Sequence, residues 1–198
     1  MPPLVLASGS VRRAEILRGA GIPFEQRPAA LDDGHLRPPP GTPAAAWTVA
    51  LAYLKAWAVD RECRGLGWVL GADTVCEVGG EIVGKPRDAG AARRMLERMV
   101  GGAQRVVTGL ALLTPGGGRV LAAEVATVAF GPIEPRTLDA YIESGSWRGK
   151  AGGYNLTERL ADGWPIAVEG DPEAVVGLPI RVLQRMIAAA TAGPECAA

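Results

Sequence analysis

One histidine, His35, stands in 198 residues. That scarcity removes imidazole-based catalytic sets and most zinc arrangements, and it leaves carboxylates to carry any acid–base chemistry. His35 itself falls in the turn-rich run Asp32-Asp33-Gly34-His35-Leu36-Arg37-Pro38-Pro39-Pro40, where it reads as a solvated loop side chain. Cysteine is nearly as sparse. Cys63, Cys76 and Cys196 are odd in number, far apart and without histidine partners, which argues against a disulfide framework and a zinc site and predicts reduced thiols. Net charge is absent, because 21 basic side chains balance 21 acidic ones. No overall field therefore draws the chain to nucleic acid or anionic lipid, and any phosphate binding has to be local. No apolar run approaches the roughly 20 residues of a membrane span. Arg12-Arg13 follow the apolar start too soon for a secretory signal. The expectation is a cytoplasmic protein with neither nucleic acid nor membrane as a partner.

What is present alternates in an α/β manner, with some antiparallel pairing. The length suits a single core and one domain, in two lobes. The pattern predicts a strand through Leu4–Leu6, a helix from Val11 to Leu17 stopped by Gly19 and Gly21, and a short strand at Phe24–Arg27. A Pro/Gly-rich loop over Ala29–Pro43 is the candidate lid. From Pro43 to Glu62 the residues Ala46, Val49, Ala50, Tyr53, Leu54 and Trp57 recur at helical spacing, with Lys55 off that stripe. A strand from Trp68 runs into a hairpin through Gly79-Gly80 to Val83, and a helix follows over Ala89–Val100. Two β runs, Gln104–Thr114 and Arg119–Phe130, form a long hairpin. Pro132-Ile133-Glu134-Pro135 marks a hinge between lobes. A helix over Glu134–Ser144, a strand over Ile166–Val168 and a closing helix over Ile180–Ala190 complete the pattern, with residues 191–198 expected to fray.

Three segments carry chemistry. In Leu4-Val5-Leu6-Ala7-Ser8-Gly9-Ser10-Val11-Arg12-Arg13 a buried-type strand runs through small residues into a helix that opens with two arginines. Ser8, Gly9 and Ser10 permit close backbone approach, Ser10 is a good N-cap, and the first turn offers a positive dipole end beside Arg12 and Arg13. An ordinary strand-to-helix turn with solvated arginines reads equally well from this segment alone. In Gly71-Ala72-Asp73-Thr74-Val75 an acid directly follows the apolar Trp68-Val69-Leu70, the strand-end position where open α/β sheets place ligand groups. In Gly84-Lys85-Pro86 a lysine is fixed at the end of the hairpin. Asp73 offers a metal ligand or a base, or a cap for the turn that follows, and Lys85 offers a point charge for phosphate.

Taken in order, these segments with Leu51-Ala52, Lys55-Ala56, Thr108-Gly109, Lys150-Ala151-Gly152 and Val176-Gly177-Leu178-Pro179 resemble the Maf family of nucleoside triphosphate pyrophosphatases. The resemblance runs from about residue 4 to about residue 185. It implies a mixed twisted sheet flanked by helices, similar to inosine triphosphatases, with two lobes around a central cleft, and a single domain over residues 1–190. It also implies hydrolysis of a nucleoside triphosphate to monophosphate and pyrophosphate, with a housecleaning role, a divalent cation (Mg²⁺ or Mn²⁺) and a homodimer. Asp73 is implied as general base, and Asp33, with Asp73, as metal ligand. Asp33 stands where the family usually has glutamate, and an exposed acidic loop pair is otherwise a solvated feature. Arg12, Lys55 and Lys85 are the implied cations for the phosphate chain, since guanidinium grips phosphate in two places and lysine supplies a mobile charge. Arg13 either joins them or makes a buried salt bridge, for example with a carboxylate of the opposite lobe. Lys150, in a loop that permits close approach, is a further phosphate or base contact.

Of the three places that mark the pyrimidine-preferring branch, the first two carry Arg12 and Thr74, but Thr157 stands where glutamine is expected. The branch acting on 7-methylguanosine triphosphate has tryptophan and glutamine at the first two and is disfavoured. Asn155, Thr157 and Glu158 either form a different base-reading set or cap a helix. Val11 replaces a usual proline, and Gln104-Arg105 a usual histidine. A nucleotide-binding regulator of cell division that has kept the pocket and lost the chemistry is the rival reading.

Overall fold

The computed structural model describes residues 4–31, 33, 36–63 and 67–192; Asp32, His35, Cys196 and the tail beyond residue 192 lie outside the described residues. In chain order the elements are β1 (Leu4–Leu6), α1 (Val11–Gly19), β2 (Phe24–Gln26), α2 (Ala44–Glu62), β3 (Trp68–Val78), β4 (Glu81–Val83), α3 (Ala89–Glu97), β5 (Ala103–Leu113), β6 (Arg119–Phe130), α4 (Pro135–Ser144), a 3-10 turn (Ala151–Gly153), α5 (Leu156–Ala161), β7 (Ile166–Glu169), α6 (Pro172–Val176) and α7 (Ile180–Ala192). The strands form one seven-stranded sheet in the order β2-β1-β3-β5-β6-β7, with β4 paired to β3. Pairing is parallel at β1–β2 and β1–β3 and antiparallel at β3–β4 and β6–β7. This is the mixed α/β architecture expected from the alternation of elements. The chain gathers into two compact units, one of Met1–Asp73, Thr108–Glu124 and Gly177–Ala198, the other of Thr74–Val107 and Val125–Val176.

In the first unit the strands are covered on both faces, so they read as continuous apolar runs. Leu4, Leu6, Leu70, Ala72, Leu110 and Leu112 pack with Ala14 and Leu17 of α1 and Leu183 and Met186 of α7. The alternate residues Val5, Ala7, Val69, Ala111 and Leu113 pack with Ala52, Ala56 and Val59 of α2. Helix α1 ends as the sequence suggests. Gly21 takes a φ of +67°, its N–H bonds the Arg18 carbonyl and the Ile22 N–H bonds that of Leu17, which is the Schellman arrangement.

Helix α2 corrects the expected stripe. Its buried residues are Ala44, Thr48, Leu51, Ala52, Ala56 and Val59, whereas Leu54 and Trp57 are 39% and 43% exposed. The cause lies in two distant glycines. A Cβ at Gly71 would lie 2.0 Å from the Ala52 carbonyl oxygen, and one at Gly109 would lie 2.4 Å from the Thr48 carbonyl carbon. The helix backbone thus rests directly on the strands, and only its small residues fit underneath.

In the second unit, Gly79 and Gly80 both adopt positive φ, +58° and +81°, as a two-residue hairpin with the strand twist requires. Asp88 caps α3, its Oδ1 accepting the Ala91 N–H at 2.7 Å. That helix stops at Glu97, short of the expected Val100, because Val100 leaves it to bridge Phe130 in parallel. The core is aromatic, with Phe130 edge-on to Tyr154 at 5.0 Å and Tyr141 edge-on to Trp164 at 5.1 Å. Among the described residues no helix is long and apolar enough to cross a membrane.

Candidate functional site

The turn between β1 and α1 is built around the Ser8 hydroxyl. Ser8 is buried, and its Oγ accepts the Ser10 N–H at 3.3 Å and the Arg13 Nη1–H at 3.0 Å. Ser10 caps α1, its Oγ accepting the Arg13 N–H at 3.4 Å. Gly9 is exposed between them. Arg13 also donates from Nε to the Gly177 carbonyl at 2.9 Å, so its guanidinium is fixed by the turn and by the segment before α7. Burial lowers this guanidinium from its ordinary value; Asp73 pulls it back up, Arg12 beside it pushes it down, and Asp33 raises it again. Arg12 is exposed and makes no side-chain hydrogen bond or ion pair among the described residues.

The centre of the site is Lys55. Its Nζ lies 2.6 Å from Asp73 Oδ1 and 2.6 Å from Asp33 Oδ2, and its side chain is 17% exposed. This corrects the reading that Lys55 lies off the buried face. Residues 69, 71 and 73 alternate onto the face of β3 that α2 covers, and the glycine at 71 lets Ala52 and Ala56 settle there, which brings the intervening Lys55 against Asp73. Asp73 is itself buried. Two carboxylates thus converge on one cation, with Arg13 adding a second positive group in the same field. Among the described residues no group of three or more His, Cys, Asp or Glu side chains converges. Asp33 and Asp73 nevertheless supply two hard oxygen donors around one point, which suits Mg²⁺ or Mn²⁺, ions that complete their shells with water and phosphate oxygens.

Thr74 follows Asp73 on β3 and is half-buried. Lys85 and Lys150 belong to the second unit. Lys85 is exposed in the turn between β4 and α3 and has no ion-pair or hydrogen-bond partner among the described residues. Lys150 precedes the 3-10 turn and pairs with Glu158 Oε2. The two turns are joined, the Gly152 N–H donating to the Gly84 carbonyl at 3.1 Å. Asn155 is the N-cap of α5, its Oδ1 accepting the Glu158 N–H at 3.3 Å, and Thr157 is exposed on that helix. Of the suggested base-reading trio, then, one member caps a helix and another neutralises Lys150. Glu169 closes β7, and Asp171 accepts the Glu173 N–H at 2.9 Å in the turn before α6.

One contributor escaped the sequence reading altogether, and three more have contacts that it does not reveal. Gln26 donates from Nε2 to the Ser8 carbonyl at 2.8 Å and ties the cradle to β2. Gly71 and Gly109 seat α2. Both stand in motifs read from the sequence, Gly71-Ala72-Asp73-Thr74-Val75 and Thr108-Gly109, but neither glycine's packing role is visible without the partner helix. Gln104, standing where a histidine is usual, is buried and donates from Nε2 to the Tyr154 hydroxyl at 2.7 Å.

Fold and site together define an α/β protein with a strand-to-helix turn braced by a half-buried arginine and a carboxylate pair held on lysine. Residues 3–190 match the family described as Maf-like protein, and the chain belongs to that family. It is 39% identical over 191 residues to the dTTP/UTP pyrophosphatase of Salinibacter ruber, covering 96% of this chain and 92% of that protein. It is 42% identical over 182 residues to the dTTP/UTP pyrophosphatase of an Anaeromyxobacter species, covering 89% and 84%. Over 181 residues it is 39% identical to the protein of the same name from Thermus thermophilus, covering 90% of each chain.

Proposed function

We propose that this chain is a nucleoside triphosphate pyrophosphatase that removes pyrimidine nucleoside triphosphates, dTTP and UTP foremost, as a housecleaning enzyme. The observation that carries the reading is the Lys55 ammonium held between Asp33 and Asp73, 2.6 Å from each, in a chain whose relatives are named for cleaving these nucleotides. Water attacks the α phosphorus, the bond from that phosphorus to the oxygen bridging to the β phosphorus breaks, and monophosphate and pyrophosphate leave. The Asp73 carboxylate takes the proton of the attacking water. Arg12, Arg13 and Lys55 draw the charge of the phosphate chain to the turn of Ser8, Gly9 and Ser10, whose backbone and helix end favour anions. Lys85 and Lys150 are assigned to the phosphates, and Thr74 and Thr157 to the nucleoside, on the family motif and their chemistry. Asp33 and Asp73 would hold a divalent cation, which when bound spreads the negative charge of the triphosphate. Residues 1–190 are taken as one Maf-like domain, matching the span of the family. Cytoplasm suits both a nucleoside triphosphate substrate and the free thiols of Cys63 and Cys76. A homodimer is proposed on the resemblance alone.

Asp73→Asn tests the mechanism. The substitution keeps shape and removes the base, so turnover is expected to fall by about 10²- to 10⁴-fold while circular dichroism stays that of the folded wild type. Undiminished turnover would remove Asp73 from its role.

A further inference from the structure

Lys55 occupies the point at which both candidate metal ligands converge. One ammonium contacts Asp33 Oδ2 and Asp73 Oδ1, each at 2.6 Å, and the three side chains are 17%, 29% and 11% exposed, so the cluster is shielded from the water that would screen it. A divalent cation needs those same oxygens. The ammonium and the dication cannot share them at contact distance, since they repel across a partly desolvated space. Arg13, close enough for both carboxylates to raise its titration, adds to the positive charge that an incoming dication meets.

We infer that Lys55 is an internal stand-in for the metal: it holds Asp33 and Asp73 together before catalysis, and the triphosphate draws it away so that the cation can enter. This rests on the pyrophosphatase reading and deepens it. Lysine suits the exchange, being a compact charge on a flexible four-carbon stem that can turn from carboxylate to phosphate. The exchange also balances charge. Before it, two carboxylates face one ammonium; after it, they face one dication, and the ammonium faces the phosphates. The consequence is linkage: nucleotide raises metal affinity and metal raises nucleotide affinity by the same factor. The coupling runs through Lys55.

The test is Mn²⁺ binding, read by the loss of the free-ion electron paramagnetic resonance signal, with and without a non-hydrolysable UTP analogue. Wild type is expected to bind Mn²⁺ weakly alone and roughly 5- to 150-fold more tightly with the analogue. In Lys55→Gln and Lys55→Met the ion is expected to bind at least about tenfold more tightly than in wild type without nucleotide, and the analogue should add less than about threefold, the competitor being gone. Mn²⁺ binding in both variants no tighter than in wild type would overturn the inference. Should either variant fail to fold, wild type alone decides. Saturating Mn²⁺ is expected to raise acylation of the Lys55 amine, followed by peptide mass spectrometry, and unchanged labelling would overturn the exchange. Because these readouts need no turnover, a failed exchange beside intact pyrophosphate release would leave the pyrophosphatase reading standing. The exchange with no hydrolysis of any triphosphate would retain the metal site and discard the enzyme.

Discussion

At the scale of single residues, the second unit is held by acids that the fold keeps neutral. Burial pushes the Cys76 thiol up to about 12. It pushes the Tyr141 phenol to about 12 against the opposing pull of Arg159, and it raises Tyr154 well above its ordinary value with help from Cys76. Tyr141 uses its proton, donating to the Gly153 carbonyl at 2.9 Å beneath the Lys150 turn. Because all three protons are bound more tightly in the folded chain than in the unfolded one, their contribution is whole below the unfolded values of 9.0 for Cys76 and 10.0 for the tyrosines. It is lost as pH rises toward 12, each proton costing up to about 1.4 kcal/mol per pH unit across that window. Urea unfolding followed through tryptophan fluorescence should therefore show a midpoint that is flat up to about pH 9 and falls steeply above it. A flat midpoint to pH 11 would mean that these groups already titrate as if exposed.

At the scale of elements, the seating of α2 decides whether the site exists. Gly71→Ala places a methyl group 2.0 Å from the Ala52 carbonyl oxygen and 2.9 Å from the Ala56 nitrogen, both backbone atoms, so the helix has to move. We expect a loss of about 1–3 kcal/mol, seen as a drop in Tm of roughly 2–4 °C per kcal/mol for a chain this long. Turnover should drop in the surviving folded protein, since Lys55 no longer meets Asp73. Gly19→Ala is the counterpart. It lies inside α1 with nothing within 4 Å of its Cβ and should gain up to about 1 kcal/mol. A Gly71→Ala protein as stable and active as wild type would refute the seating account. The contrast also shows what was legible in the sequence. Features written in adjacent residues could be read directly: the Ser10 cap, the Gly21 ending of α1, the Gly79-Gly80 turn and the long hairpin of β5 and β6. The buried face of α2 could not, because it is dictated by Gly71 and Gly109 on strands elsewhere in the chain, which reverse the apparent preference for Leu54 and Trp57. Helices α5 and α6 are too short to build a periodic signal and owe their form to packing and to caps such as Asn155.

At the scale of the molecule, the chain carries no net charge, yet it concentrates charge of both signs at Arg13, Asp33, Lys55 and Asp73. The motif order and the resemblance it carries single out Asp73, Asp33 and Lys55, which the structure brings into contact. Their mutual contacts were not legible, since ion-pair partners 18 and 22 positions away from Lys55 leave no periodic trace. Substrate preference is the least legible property: Thr157 replaces the expected glutamine on an exposed turn of α5, and the neighbouring Glu158 is engaged with Lys150. The most direct measurement is a product assay on the purified protein with Mg²⁺ or Mn²⁺ against dTTP, UTP, other standard nucleotides and methylated ones, resolving pyrophosphate from orthophosphate. The account predicts pyrophosphate and nucleoside monophosphate in equal amounts, with dTTP and UTP turned over fastest. Orthophosphate with nucleoside diphosphate would contradict the α–β cleavage, and tight binding without any turnover would make the protein a nucleotide-binding regulator.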